Sequence, residues 1–243
     1  MIGDVYGCFD TLVALIEKCP KDDQFCFVGD LIDRGPHSSR VVDLIIEQGW
    51  LCVMGNHEKM AHESGIGRSQ YALWMWNGGE ATRASYHTDP SYRSAPQKWL
   101  DHLRWMASLP SYIKFKDLRR DDGRNLLVCH AGFSRSSDGS LETAKQEQVV
   151  NDEVLWHRGD FIHDYQEVFQ VIGHTPMAEG AQIETHFANI DTGAVYNWKP
   201  FGVLTASSPN RIWTGWKPAK KVKKGPWHMT SKIAPRRICK ANH

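Results

Sequence analysis

Five stretches of this 243-residue chain end an apolar run on side chains that can hold a cation or grip phosphate. The richest is Phe25-Cys26-Phe27-Val28-Gly29-Asp30-Leu31-Ile32-Asp33-Arg34-Gly35, a buried-strand pattern followed by two carboxylates and a guanidinium. Gly29 lets the backbone turn at the strand end and lets a ligand come close. Asp30 and Asp33 are hard oxygen ligands or bases, and Arg34 offers a planar fork suited to phosphate. The other four are Ile2-Gly3-Asp4, Met54-Gly55-Asn56-His57-Glu58, Cys129-His130-Ala131-Gly132 and Ile172-Gly173-His174-Thr175-Pro176. Any single histidine among them reads most simply as a hydrogen-bonded structural residue; the recurrence is what points to a site. Carboxylate, amide oxygen and imidazole together suit ions such as Mn²⁺, Fe or Zn²⁺. Two ions about 3.5–4 Å apart would hold the attacking and leaving oxygens of a phosphate ester, so metal-assisted hydrolysis is the chemistry on offer.

The elements that must position these residues follow from periodicity. A helix capped by Asp10 or Thr11 carries Leu12, Val13, Leu15 and Ile16 and stops at Pro20. A second is capped by Ser38 or Ser39 and ends at Gly49, before a strand over residues 50–54. Residues 58–109 read as mostly helical, with Pro96 at a first helical position and the tryptophans mostly in the core. Strands follow at 125–129, 168–172 and 187–190, with a helix at 147–156 and short β pieces to Trp213 that close the sheet. The apolar run before Asp4 is two residues long, so the first strand is very short. Alternating strands and helices imply an α/β fold with parallel strands and crossover connections, which brings the strands' C-terminal ends to one edge.

Composition is that of an ordinary globular chain, and no run is long and apolar enough for a membrane helix. No signal peptide is evident, and six scattered cysteines without a CxxC pair fit free thiols in a reducing cytosol. No acid follows Asp191, while eleven of the 29 Lys and Arg do. The expected organisation is therefore one domain over residues 1–213 and a basic, flexible tail over 214–243. That tail suits nucleic acid or an acidic partner, or serves only solubility.

The motifs Gly3-Asp4-x-x-Gly7, Gly29-Asp30-x-x-Asp33-Arg34-Gly35, Gly55-Asn56-His57-Glu58, His130-Ala131-Gly132 and Gly173-His174-Thr175-Pro176 occur in that order. In this the chain resembles the calcineurin-like metallophosphoesterases. Trp74-x-x-Asn77-Gly78-Gly79 and Asp191-Thr192-Gly193-Ala194 also resemble the bacterial and phage branch of serine/threonine protein phosphatases. The resemblance spans residues 1 to about 205 and implies a sandwich of two mixed sheets flanked by helices. It implies two divalent ions, Mn²⁺ first and Fe or Zn²⁺ as alternatives. Asp30 would bridge them, Asp4 would bind the first, and Asn56, His130 and His174 the second. His57 matches the family's general acid, with Asp33 orienting it, and Arg34 and Arg158 match the phosphate clamps.

One position departs from the pattern. Tyr6 stands where the family has a histidine that binds the first metal. A weak first site resting on Asp4 and Asp30 is the favoured reading; a tyrosinate on a ferric ion, or a degenerate chain, are the alternatives. The expected activity is cytoplasmic, metal-dependent phosphomonoester hydrolysis, foremost of phosphoserine or phosphothreonine in proteins, with small phosphate esters also open. Dinucleoside polyphosphates or nucleic-acid ends are a second enzymatic reading, and a pseudophosphatase that binds phosphate without turnover is a third.

Overall fold

The computed structural model describes residues 1–88, 96–158 and 162–196, and the two strands at 204–206 and 212–214. The basic stretch expected after residue 213 lies, Thr214 aside, outside the described residues.

Two sheets face each other. The smaller pairs β1 (Cys26–Phe27) with β2 (Leu51–Cys52) in parallel, and Ile2 bridges to Phe27 on the other side. The larger is mixed: β3 (Tyr112–Arg119), β4 (Asn125–Cys129), β5 (Val168–Ile172), β7 (Phe187–Asn189) and β6 (Gln182–Ile183), in that spatial order. Its three central strands are parallel and its two edges antiparallel. β8 (Leu204–Ala206) and β9 (Ile212–Thr214) pair with each other as a separate antiparallel ribbon, rather than closing the larger sheet.

The period-2 alternation of the strands sorts side chains into three layers. Cys26, Val28 and Val53 from one sheet meet Leu126, Val128, Phe169, Val171 and Ala188 from the other. Their sequence neighbours point outward. Phe25 and Phe27 pack under α1 (Phe9–Ile16), α2 (Ser38–Gln48), α3 (Asn56–Glu63) and α6 (Pro96–Ala107). Leu127, Cys129, Val168 and Ile172 pack under α7 (Leu141–Val150) and α8 (Glu153–Trp156). The fold is the expected α/β sandwich of mixed sheets between helical layers.

Several boundaries differ from expectation, each for a local reason. α1 starts at Phe9, so Asp10 sits in its first turn rather than at its cap. α2 starts at Ser38 without a side-chain cap, because Ser38 Oγ accepts from the Asp33 amide instead, at 3.1 Å. Gly49 ends it in the left-handed region, as anticipated. The helix expected at 147–156 is two helices, broken where Asp152 takes a φ of 58°; the first begins at Leu141, capped by Ser140. β3 was not anticipated: it is an edge strand whose charged residues Lys114, Lys116 and Asp117 mask its pattern. Asp43 pairs with Lys98 and His102. Trp74 is buried and stacks on Trp99, whereas Trp76 is 90 % exposed. Five cysteines among the described residues are free thiols.

The loops leaving the strands touch backbone to backbone, and glycine permits it. Gly29 has a φ of 96°, and a Cβ there would lie 2.6 Å from Gly55 N and 3.0 Å from His130 Nδ1. Gly29→Ala is expected to lower stability by about 2–4 kcal/mol, from strain plus overpacking. Gly123→Ala, with a similar φ but nothing within 4 Å, should lose only about 1 kcal/mol. Urea denaturation of both variants measures the difference; equal losses would show that the close approach does not matter.

Candidate metal centre

Apart from Arg158, which follows α8, the expected site residues sit where the chain leaves the C-terminal end of a strand or bridge. Asp4 follows the Ile2 bridge, Asp30, Asp33 and Arg34 follow β1, Asn56 and His57 follow β2, His130 follows β4, and His174 follows β5. Asp4, Asp30, Asp33, Asn56, His57, His130 and His174 are all at most 3 % exposed. Tyr6, Asp30, Asp33, Arg34 and His174 all have positive φ. Such strain on residues with a Cβ persists only where the surroundings over-determine it.

Ligand atoms of Asp30, His130 and His174 all lie within 4.8 Å of one another. His130 Nδ1 donates to Val28 O at 2.7 Å, which leaves Nε2 as a lone pair. That lone pair faces Asn56 Oδ1 at 2.9 Å and Asp30 Oδ1 at 3.3 Å. His174 Nδ1 lies 3.1 Å from Asn56 Oδ1 and 3.2 Å from His130 Nε2, and its buried Nε2 has no hydrogen-bond partner. The Asn56 amide, turned over, could donate to the same neighbours. With Oδ1 inward, acceptors converge on one point, the arrangement a cation resolves. Two imidazoles, an amide oxygen and a carboxylate fit a divalent ion of borderline softness.

The electrostatics follow from burial. Burial opposes the Asp30 carboxylate, but the imidazoles of His130 and His57 more than offset it and hold its pKa well below the usual range. Burial pushes His174 down to about 2, helped by neighbouring His130. Asp4 is pushed well up by burial and by Asp191 and Asp30.

Tyr6 is a donor here. Its hydroxyl gives a 2.7 Å hydrogen bond to Asp30 Oδ2, and burial with the charge of Asp30 raises its pKa well above 10. Asp4 and Asp30, the carboxylates expected to hold a first ion, thus stand beside a neutral phenol. Asp191, placed in a motif by the sequence but given no task, is 1 % exposed beside Asp4, and its Oδ2 has no hydrogen-bond partner. Burial pushes it up to about 6.

His57 sits next to this cluster. Its Nδ1 is 2.6 Å from Asp33 Oδ2, and Arg34 Nη2 lies 3.1 Å from its Nε2. Arginine is always a donor, so the proton on the neutral ring is at Nδ1, facing Asp33. Asp33 is itself held by Trp74 Nε1 at 3.0 Å and Thr82 Oγ1 at 2.6 Å. Arg34 Nη1 donates to Tyr196 Oη at 2.8 Å, and its guanidinium stands 4.2 Å over the Tyr6 ring. Arg158 is exposed, with Nη1 3.4 Å from His174 O, at the edge of the site.

Sequence reasoning missed the supports. Glu58 is fully buried and accepts from the amides of Asp30, Leu31 and Gly55 at 2.8–3.0 Å, tying the first two loops together. Its place directly after Asn56-His57 was the available signal. Trp74 lay in the Trp74-x-x-Asn77-Gly78-Gly79 motif, but nothing tied it or Thr82 to Asp33, 41 and 49 residues away.

Residues 1–203 match the family model for calcineurin-like phosphoesterases. The chain belongs to that family. Among curated relatives, bis(5'-nucleosyl)-tetraphosphatase PrpE [asymmetrical] of Bacillus cereus is 29 % identical over 232 residues, covering 84 % of this chain and 88 % of that protein. A protein proposed to be a diadenosine tetraphosphatase is similar in structure, with TM-score 0.51 and 23 % identity over 88 % of this chain and 92 % of that one. A protein serine/threonine phosphatase of Saccharomyces cerevisiae aligns with TM-score 0.52 and 17 % identity, over 77 % and 64 % of the two chains. Both likenesses speak to the fold.

In this calcineurin-like phosphoesterase, Tyr6 is the test of the first ion position. Metal-stripped protein dialysed against Mn²⁺ is expected to retain one ion per chain, and Tyr6→His two, by elemental analysis. An unchanged count would show that Tyr6 does not limit occupancy.

Proposed function

We propose that this chain is a metal-dependent phosphohydrolase acting on dinucleoside polyphosphates. The observation that carries hydrolysis is the convergence of Asp30, Asn56, His130 and His174 beside the His57–Asp33 pair and Arg34. The substrate class is supported by the tetraphosphatase relatives.

The second ion set, Asn56, His130, His174 and Asp30, is the stronger; the first rests on Asp4 and Asp30. Mn²⁺ is the proposed ion, held firmly by the second set and only weakly by the first. Divalent ions held there acidify a water and neutralise charge on phosphoryl oxygens. The chain's own groups do the rest. Arg34 and Arg158 bind the non-bridging oxygens of the scissile phosphate. Moving Arg34 onto phosphate frees His57 Nε2 to take a proton, which it then gives to the leaving oxygen. Asp33, fixed by Trp74 and Thr82, stabilises the charged ring meanwhile.

A second reading, dephosphorylation of phosphoserine or phosphothreonine in proteins, is favoured by that same pair. A polyphosphate releases a weakly basic phosphate, whereas an alkyl ester releases a strongly basic alkoxide that needs a proton. A buried, orienting Asp33 at 2.6 Å suits the harder task.

Metal-stripped protein restored with Mn²⁺ is expected to hydrolyse diadenosine tetraphosphate with higher kcat/KM than a phosphoserine peptide, and Asp30→Asn to be inactive on both. The reverse order would establish the second reading. Phosphate binding without turnover under any ion would make the chain a pseudophosphatase.

His57→Asn is expected to keep its metal and lose at least about 10²-fold in kcat on an alkyl phosphate. A smaller loss on the tetraphosphate would follow from its better leaving group. An unimpaired variant would remove His57 from the acid's role.

A further inference from the structure

The loop carrying Arg34 leans on a single π-helical turn, Met75–Gly79. Arg34 N donates to Gly78 O at 3.1 Å, and Gly78 has a φ of 103°. A Cβ at Gly78 would lie 2.8 Å from Arg34 Cγ. This turn has two tryptophans with opposite fates. Trp74 points inward to Asp33, 2 % exposed. Trp76, two residues on, is 90 % exposed. Residues two apart on a helix point to nearly opposite faces, and π turns gather at functional sites.

Trp76 and Arg34 line the same open cleft of about 360 Å³, with Met75, Glu80, Ala81 and Ala84. The lining states a chemistry. Arg34 takes an anion. The indole takes a flat ring, and the two alanines leave room beside it. Glu80 would repel a bare polyanion but can accept from an amino group or a hydroxyl. One ligand meets all of these: a phosphate chain at the Arg34 end, joined through a sugar to a planar base.

We infer that Trp76 is the stacking platform for a nucleobase whose phosphates reach Arg34. The inference rests on the phosphohydrolase reading and deepens it to the level of a specificity residue. It also explains why a large apolar side chain stays in water beside a charged site, where burial would ordinarily favour it.

The experiment uses the full chain loaded with Mn²⁺. Steady-state kinetics are compared for diadenosine tetraphosphate and for β-glycerophosphate, which has no base. In Trp76→Ala the ratio of the two kcat/KM values is expected to fall roughly tenfold through KM, the range of one lost base stack, and Trp76→Phe to restore most of it. An unchanged ratio overturns the inference while leaving the phosphohydrolase reading intact. Calorimetry with adenosine 5'-monophosphate gives a second, turnover-free readout. Weaker binding in Trp76→Ala than in the wild type supports the platform even if the tetraphosphate proves a poor substrate. Equal binding, or none by the wild type, overturns it. A phosphotyrosine peptide is the third arm: a loss confined to that peptide would assign the indole to an aromatic side chain instead.

Discussion

Asp30 is a carboxylate with no exposed surface, and a buried charge survives only where opposite charge and donors surround it. The molecule around it is arranged to do that. Tyr6 Oη and the His57 amide donate to its two oxygens at 2.7 and 3.1 Å, while His130 stands 3.3 Å away. Its own amide is held by Glu58. These partners come from three separate loops. The requirement to match one carboxylate therefore brings the strand ends of both sheets together at a single edge.

The centre that results is lopsided. One half has imidazoles and an amide whose tautomers and directions are set by neighbours such as Val28 O. The other half has acids: Asp4, made costlier to ionise by burial and by Asp191, and Asp191, made costlier by burial and by Asp30. Tyr6 stands between the halves and hydrogen-bonds to the shared carboxylate rather than adding a ligand. The nitrogen-rich half is suited to discriminate among borderline ions. The acidic half offers charge with little selectivity.

What could be read from the chain alone was whatever depends on residue type near a strand end. β4 and β5 fall where their apolar runs predicted, because they are central strands buried on both faces. The loops after them were legible for the same reason, since a polar residue straight after such a run must lie at the sheet's edge. Edge strand β3 was hidden, because half its residues face water and charge breaks the pattern. The supports of Asp33 were hidden because they are contacts between distant segments: a motif marks Trp74 but does not say that its indole reaches Asp33. Helical periodicity puts Trp74 and Trp76, two residues apart, on nearly opposite faces; which of the two meets the core depends on distant packing partners such as Trp99.

The left-handed backbone at Tyr6, Asp30, Asp33, Arg34 and His174 has a thermodynamic consequence. Each of these residues is held in a sparsely populated conformation, and beside them the acceptors of Asn56, His130 and His174 face one another. The metal-free native state therefore holds its energy at this edge, and an ion that binds it but not the unfolded chain shifts the whole unfolding equilibrium by mass action. Ion supply would then bear on how long the fold itself lasts, apart from any chemistry done at that edge.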